Sequence, residues 1–285
     1  MRAHAGCGSV TAMFASHKSR RLLQLFVTVL AGIALNAALL PQPLAAEIAG
    51  IASRQRAEKK SFTDGEIVDG FLKTAFGAEY HLAGRVDRIR KYDAPVRVFA
   101  DGIRRSNRKA QLAKVVADIA TRVRHLDIAM VDGSEDANVV VKLVRDRDLN
   151  RTIGAFYGTD RAREIRRNLD PQCLSGFRKN ERYEIEHSDV ILTVDNGDFT
   201  FLDCAYEELL QSLGPINDTN SIPWTMFNDS VQMGFFDVYD QYLLNILYDP
   251  RIKPGMTVQE VTALLPQVLA DVRVWVAKVN GLPLE

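Results

Sequence analysis

Tyr206-Glu-Glu-Leu-Leu-Gln-Ser-Leu-Gly214, followed by Asn217-Asp218, Ser221-Ile222, Met226 and then Asp240 to Leu247-Tyr248, is the stretch that decides the fold. Glu207 and Gln211 stand four residues apart and Glu208 and Gln211 three apart, so one helical face can present all three. Gly214-Pro215 stops that helix, with glycine just past the last turn and proline beyond. Upstream, Thr200-Phe-Leu-Asp203 reads as a capping-box-like start. Downstream, Phe236 to Tyr248 forms a second helix.

Working outward, Asp64 caps a helix through Ile67, Phe71 and Phe76 that ends near Gly77. Pro95-Val-Arg-Val-Phe99 alternates into the Asp101-Gly102 turn and predicts a strand. Leu112, Val115, Val116, Ile119 and Val123 recur at helical spacing and predict a long amphipathic helix over 107–124. The apolar run from Ala137 to Val144 predicts a strand buried on both faces. Short helices are expected over 148–165, and a third strand over 184–194 leads into an Asn196-Gly197 turn. Thr257-x-x-Glu260 opens a terminal helix through Val274, disturbed at Pro266. The order strand, helix, strand, strand, then helices is α+β, with a small mixed sheet and long helices.

The 206–248 stretch resembles the core of metzincin zinc peptidases, in which H-E-x-x-H-x-x-G-x-x-H is followed by a Ser-Ile-Met turn and a helix ending near Leu-Tyr. Laid on this chain, the pattern puts Glu207, Gln211 and Asn217 at the three His positions. Glu208 falls where the general base belongs, and Gly214 where the helix must stop. Ile222-Pro-Trp-Thr-Met226 interrupts the turn. Zinc favours imidazole and thiolate, whereas carboxylate and amide oxygens suit harder ions. After residue 46 the chain has only His81, His125 and His187, none paired at helical spacing. The resemblance thus implies a zincin-like fold without a three-His zinc site.

A second resemblance covers most of 62–256. Tyr80 through Lys91-Tyr92, Cys173, the Cys204 to Gly214 helix, Asn217-Asp218, and Leu247-Tyr-Asp-Pro-Arg-Ile-Lys-Pro-Gly-Met256 look like a proteobacterial secreted family known as a domain of unknown function. That likeness implies a periplasmic or envelope location and no particular reaction.

The start of the chain agrees with export. Lys18, Arg20 and Arg21 precede an apolar run from Leu22 to Leu40 and then Pro41-Gln-Pro-Leu-Ala-Ala46, the parts of a secretory signal. We expect residues 1–46 to be this signal, cleaved after Ala46; an uncleaved inner-membrane anchor is the alternative, since the run can just cross a bilayer. Residues 47–61 are expected to be a linker or frayed helix, and 62–285 one domain. Residues 1–46 carry four of the 36 basic residues and no acids, so the remainder has 32 basic and 36 acidic residues, a net charge of about −4. Such a mild charge argues against a nucleic-acid partner. Cys173 and Cys204 are the cysteines beyond residue 46, and in an oxidising compartment an isolated pair is most simply one disulfide.

Charge is unevenly spread. From Tyr183 to Pro250 there is no Lys or Arg against thirteen acids, among them Asp203, Asp218 and Asp229; residues 85–182 hold 23 basic and 14 acidic residues. This asymmetry can focus a negative potential over Glu207, Glu208, Gln211, Asn217 and Asp218. Two uses compete. One is a binding or envelope-maintenance domain that is not an active zinc peptidase, has no resident cofactor, and has an envelope protein or polymer as partner. The other is an atypical hydrolase in which Glu207, Glu208 and Asp218 surround calcium or magnesium and Glu208 activates water. Tyr157, Trp224, Phe227 and Phe235 are candidate groove residues or core.

Overall fold

The computed structural model describes residues 42–77, 87–102, 107–168, 172–215 and 217–284. The expected signal run and His81 lie outside them. The chain divides into two units, Met1–Ala46 and Glu47–Glu285. The second begins within α1 (Gln42–Ala57) and is one compact α+β domain.

Helix α2 (Asp64–Ala75) starts with Thr63, not Asp64, as its cap. Thr63 Oγ1 accepts from Glu66 N at 3.2 Å while Glu66 Oε2 accepts from Thr63 N at 2.8 Å. The glutamate three residues on selects Thr63, because a reciprocal pair satisfies two orphan donors together. Asp64 is left to accept from Arg273 at 2.6 Å.

Strands β1 (Val96–Gly102), β2 (Ile128–Met130), β3 (Val139–Val144), β4 (Cys173–Lys179) and β5 (Ile185–Thr193) form one sheet in the order β2-β1-β3-β5-β4. The β1–β2, β1–β3 and β3–β5 pairs are parallel, and β4 runs antiparallel to β5 at an edge. The sequence signals for β1, β3 and β5 lead to strands, while β2 and β4 have no such signal. Strand β3 alternates buried and half-buried residues instead of burying both faces. Its second face bears Lys142, which pairs with Asp101 of β1. The end near Val144 meets apolar cover from α4 (Asp146–Tyr157) and α5 (Thr159–Asn168), whose small core joins Leu149, Ile153, Ala162 and Ile165 to Leu174 and Ile191.

The other face carries the main core. Helix α3 (Arg108–Arg122) contributes Leu112, Val115, Val116 and Ile119, the residues picked out by their spacing. Helices α6 (Asp198–Ser212), α7 (Val238–Leu247) and α8 (Val258–Asn280) complete it. The predicted Thr257–Glu260 capping box forms at the start of α8. Pro266 lies inside that helix without ending it, and α8 continues past Val274 to Asn280.

The expected start of α6 is corrected. Gly197, at φ +93°, is the N-cap, and Thr200 lies within the first turn. Arg108 of α3 braces the segment leading into the helix, donating to Val194 O, Gly197 O and Asp198. Asp198 then sits where a negative charge favours the helix N-terminus. Asp203 accepts from Met233 N and Gly234 N instead of closing a box on Thr200.

Candidate functional site

Helix α6 packs on β4 and β5 and delivers Glu207, Glu208 and Gln211. The disulfide Cys173–Cys204 ties β4 to the middle of α6, with Cα atoms 5.9 Å apart. Two residues along β4, Ser175 Oγ donates to Gln211 Oε1 at 3.3 Å. A covalent and a polar link thus hold one face of α6 against the sheet edge.

The helix stops at Gly214, whose φ of +140° excludes side chains sterically. A Cβ there would lie 2.3 Å from Arg90 O and 3.0 Å from Leu247 Cδ2. Tyr248 Oη donates to Leu213 O at 2.9 Å, so the Leu247-Tyr248 end of α7 is seated on the Gly214 stop. Lys91 supports the same corner from below, its buried ammonium donating to Leu247 O and Ile252 O. Burial pushes that amine down to about 8.

Past the stop the chain turns back over α6. Asn217 Nδ2 donates to Lys73 O at 2.8 Å and Asn217 N to Thr74 O, fastening the loop to the end of α2. Gln211 Nε2 donates to Asp218 Oδ1 at 2.7 Å. Glu207, Asp218 and Asp229 then converge, with one carboxylate oxygen from each lying within 4.8 Å of the others. Glu207 and Asp218 are half-buried and Asp229 is exposed. Glu207 is held well above the ordinary carboxylate range, first by burial and then by the charges of Glu208, Asp218, Asp203 and Asp229.

Carboxylate oxygens grouped in this way are the donor type that calcium and magnesium take. Placing a cation there would offset the repulsion that raises the Glu207 pKa. Among the described residues this is the one group of His, Cys, Asp and Glu atoms so arranged. Glu208 is buried and is not among the three. His125 lies in the turn after α3, and His187 on β5 is 3.1 Å from Asp189.

The structure therefore brings Glu207, Gln211 and Asp218 together, uses Asn217 as a loop fastening, and replaces Glu208 by Asp229 in the converging set. Ser175 and Asp203 also shape the site. Asp203 and Asp229 are legible as members of the Lys/Arg-free acidic stretch, whereas Ser175 lies in a strand with no periodic signal. The aromatic residues do not form a groove: Phe227 and Phe235 are core, Tyr157 joins the α4–α5 cluster, and Trp224 packs beside Phe62 with ring centroids 6.2 Å apart. Burial of large apolar area outweighs any role in lining a surface.

No curated protein and no solved structure matches the chain. One family model covers residues 64–267, from the first turn of α2 to the middle of α8 and through every residue of the acidic site. The chain therefore belongs to the family described as Protein of unknown function (DUF2927).

Proposed function

We propose that this is an exported protein whose zincin-like domain has given up zinc chemistry and serves binding or maintenance in the cell envelope. The observation that carries this reading is the use made of the three positions at which the metzincin pattern has His. Gln211 bridges Ser175 and Asp218, Asn217 bonds Lys73 O, and Glu207 faces carboxylates. Two of the three are thus committed to holding the fold. The helix stopped at Gly214, the buried Met226 in the following turn and the helix ending at Leu247-Tyr248 support the zincin-like part. Export rests on the residues from Lys18 to Ala46, and an envelope protein or polymer is the partner class we infer from it.

Chain starting at Glu47 is expected to contain no stoichiometric zinc and to cleave no general protease substrate. Elemental analysis finding one equivalent of zinc overturns the reading.

The convergence of Glu207, Asp218 and Asp229 favours a second reading, a weak site for a hard divalent cation such as calcium or magnesium. Glu208, outside the converging set, supports binding over hydrolysis there. Calcium is expected to raise the unfolding midpoint, with about 2.7 kcal/mol gained at a hundred times the dissociation constant. Glu207→Gln and Asp229→Asn should each abolish the response. An unchanged midpoint at millimolar calcium refutes the cation site.

A further inference from the structure

Helix α8 ends by turning the chain back on itself. Gly281, at φ +62°, takes the left-handed conformation that glycine enters without strain. Gly281 N donates to Lys278 O and Leu282 N to Ala277 O at 2.9 Å, the two bonds that close a Schellman turn. The tail beyond this turn and the segment between α1 and α2 border a cavity of about 210 Å³. Two cations stand in its lining, Lys60 from that segment and Arg273 from α8. Tyr242, Ala277, Leu282 and Leu284 supply apolar surface. None of these residues belongs to the acidic site.

The lining is held in place by the fold. Arg273 Nε and Nη2 both donate to Asp64 Oδ1, at 2.8 and 2.6 Å, and Nη2 also donates to Phe62 O at 2.7 Å. These bonds occupy one edge of the guanidinium, so Nη1 can serve a second acceptor. Tyr242 is braced by Phe62 in a T-shaped pair with ring centroids 6.3 Å apart, and its ring centroid lies 5.8 Å from Arg273 Cζ. Lys60 Nζ stands 3.8 Å from Glu58 Oε1, beyond hydrogen-bond length, while the other Glu58 oxygen accepts from Val238 N. An ammonium has three donors, so Lys60 keeps capacity for a ligand.

We propose that this cavity binds a small amphiphilic anion, a carboxylate or phosphate head on a short apolar chain, with the head on Lys60 and Arg273 and the chain against Tyr242, Ala277 and Leu282. The size suits a chain: a water takes about 30 Å³ of the liquid, and a dry cavity of about 150 Å³ admits benzene. Water against the apolar walls lacks partners there, so a chain that displaces it gains by burial. The head exchanges water for charge-assisted hydrogen bonds from cations whose positions are already set. A cationic head would instead meet two like charges. Leu284, 67 % exposed, is left for the chain to cover.

The first probe is octanoate, titrated into the purified protein below its micelle concentration, with octyl phosphate as the second and octylammonium as the control. Calorimetry should find one anion bound per chain and octylammonium at least about tenfold weaker. Lys60→Glu and Leu284→Asp change exposed positions, so the unfolding midpoint without ligand should stay where it is. Each should weaken octanoate by about tenfold, because each sets a negative charge beside the head or chain. Octanoate should also shift the amide resonances of Ala277 and Leu282. Tighter octyl phosphate assigns the head as phosphate and tighter octanoate as carboxylate, and either supports the site. Failure of both anions to bind, equal affinity for octylammonium, undiminished affinity in Lys60→Glu, or resonance shifts confined to other residues overturns it. The cavity requires no divalent cation, so a failed calcium titration leaves this result independent.

Discussion

Cys204→Ser is expected to lower the stability of the unreduced protein by about 2–5 kcal/mol, the usual cost of losing a native bridge. The bridge joins residues 31 apart in sequence, so in the chain-entropy description it removes roughly 3–4 kcal/mol of loop freedom from the unfolded state. It also joins an edge strand to the helix of the acidic site, adding to the ladder with β5, the packing of Leu174 in the α4–α5 cluster and the Ser175–Gln211 contact. Cys204 is buried in the main core, so packing adds to the loss. Cys173→Ser/Cys204→Ser separates the two: if the covalent link dominates, the double variant loses little more than the single one. Urea unfolding without reductant measures the loss, and thiol titration of folded protein starting at Glu47 tests its cause. Two reactive thiols per chain would contradict the bridge.

The parts of the fold visible in the sequence are those whose causes are local. Leu112, Val115, Val116 and Ile119 announce α3 because one apolar stripe faces one core. Thr257 and Glu260 announce α8 because a capping box is complete within four residues. Strand β2 escapes notice because three residues carry no period, and β4 because Cys-Leu-Ser-Gly-Phe-Arg-Lys does not alternate. The start of α6 is misread for a different reason: Gly197 caps it with no side-chain acceptor, and the segment is braced by Arg108, some ninety residues away, which no local pattern encodes.

The candidate site divides in the same way. Glu207 and Gln211 share a helix face by spacing alone, and Gly214 marks the stop. Asp218 follows four residues later, close enough to fold back onto Gln211. Asp229 is one of many acids in its stretch until the turn before α7 brings it beside Glu207. The separation of Glu207 from Glu208 is likewise tertiary: neighbouring helical residues point about 100° apart, and the core decides which of them meets Asp218 and Asp229.

Gly214→Ala should cost about 2–5 kcal/mol, combining backbone strain with overpacking at a site that cannot easily yield. At φ +140° an alanine is strained wherever it occurs. Here its methyl would also enter space held by Arg90 O and Leu247 Cδ2. Arg90 O is backbone, and Leu247 Cδ2 ends a side chain that is fully buried in the core. Arg90 is buried and donates to Ala75 O and Gly77 O at the end of α2, while Leu247 belongs to the last turn of α7. Relief of the clash therefore requires three elements to shift: α6, the Arg90 segment and α7. Gly158→Ala supplies the comparison, since Gly158 has φ +82° but nothing within 4 Å of an added Cβ. Its cost should be strain alone, about 1–3 kcal/mol. Equilibrium urea unfolding of both variants at one pH distinguishes strain from clash. If Gly214→Ala loses no more than Gly158→Ala, the close seating of Leu247-Tyr248 on the helix stop is wrong, and with it the physical reason for the glycine in this frame.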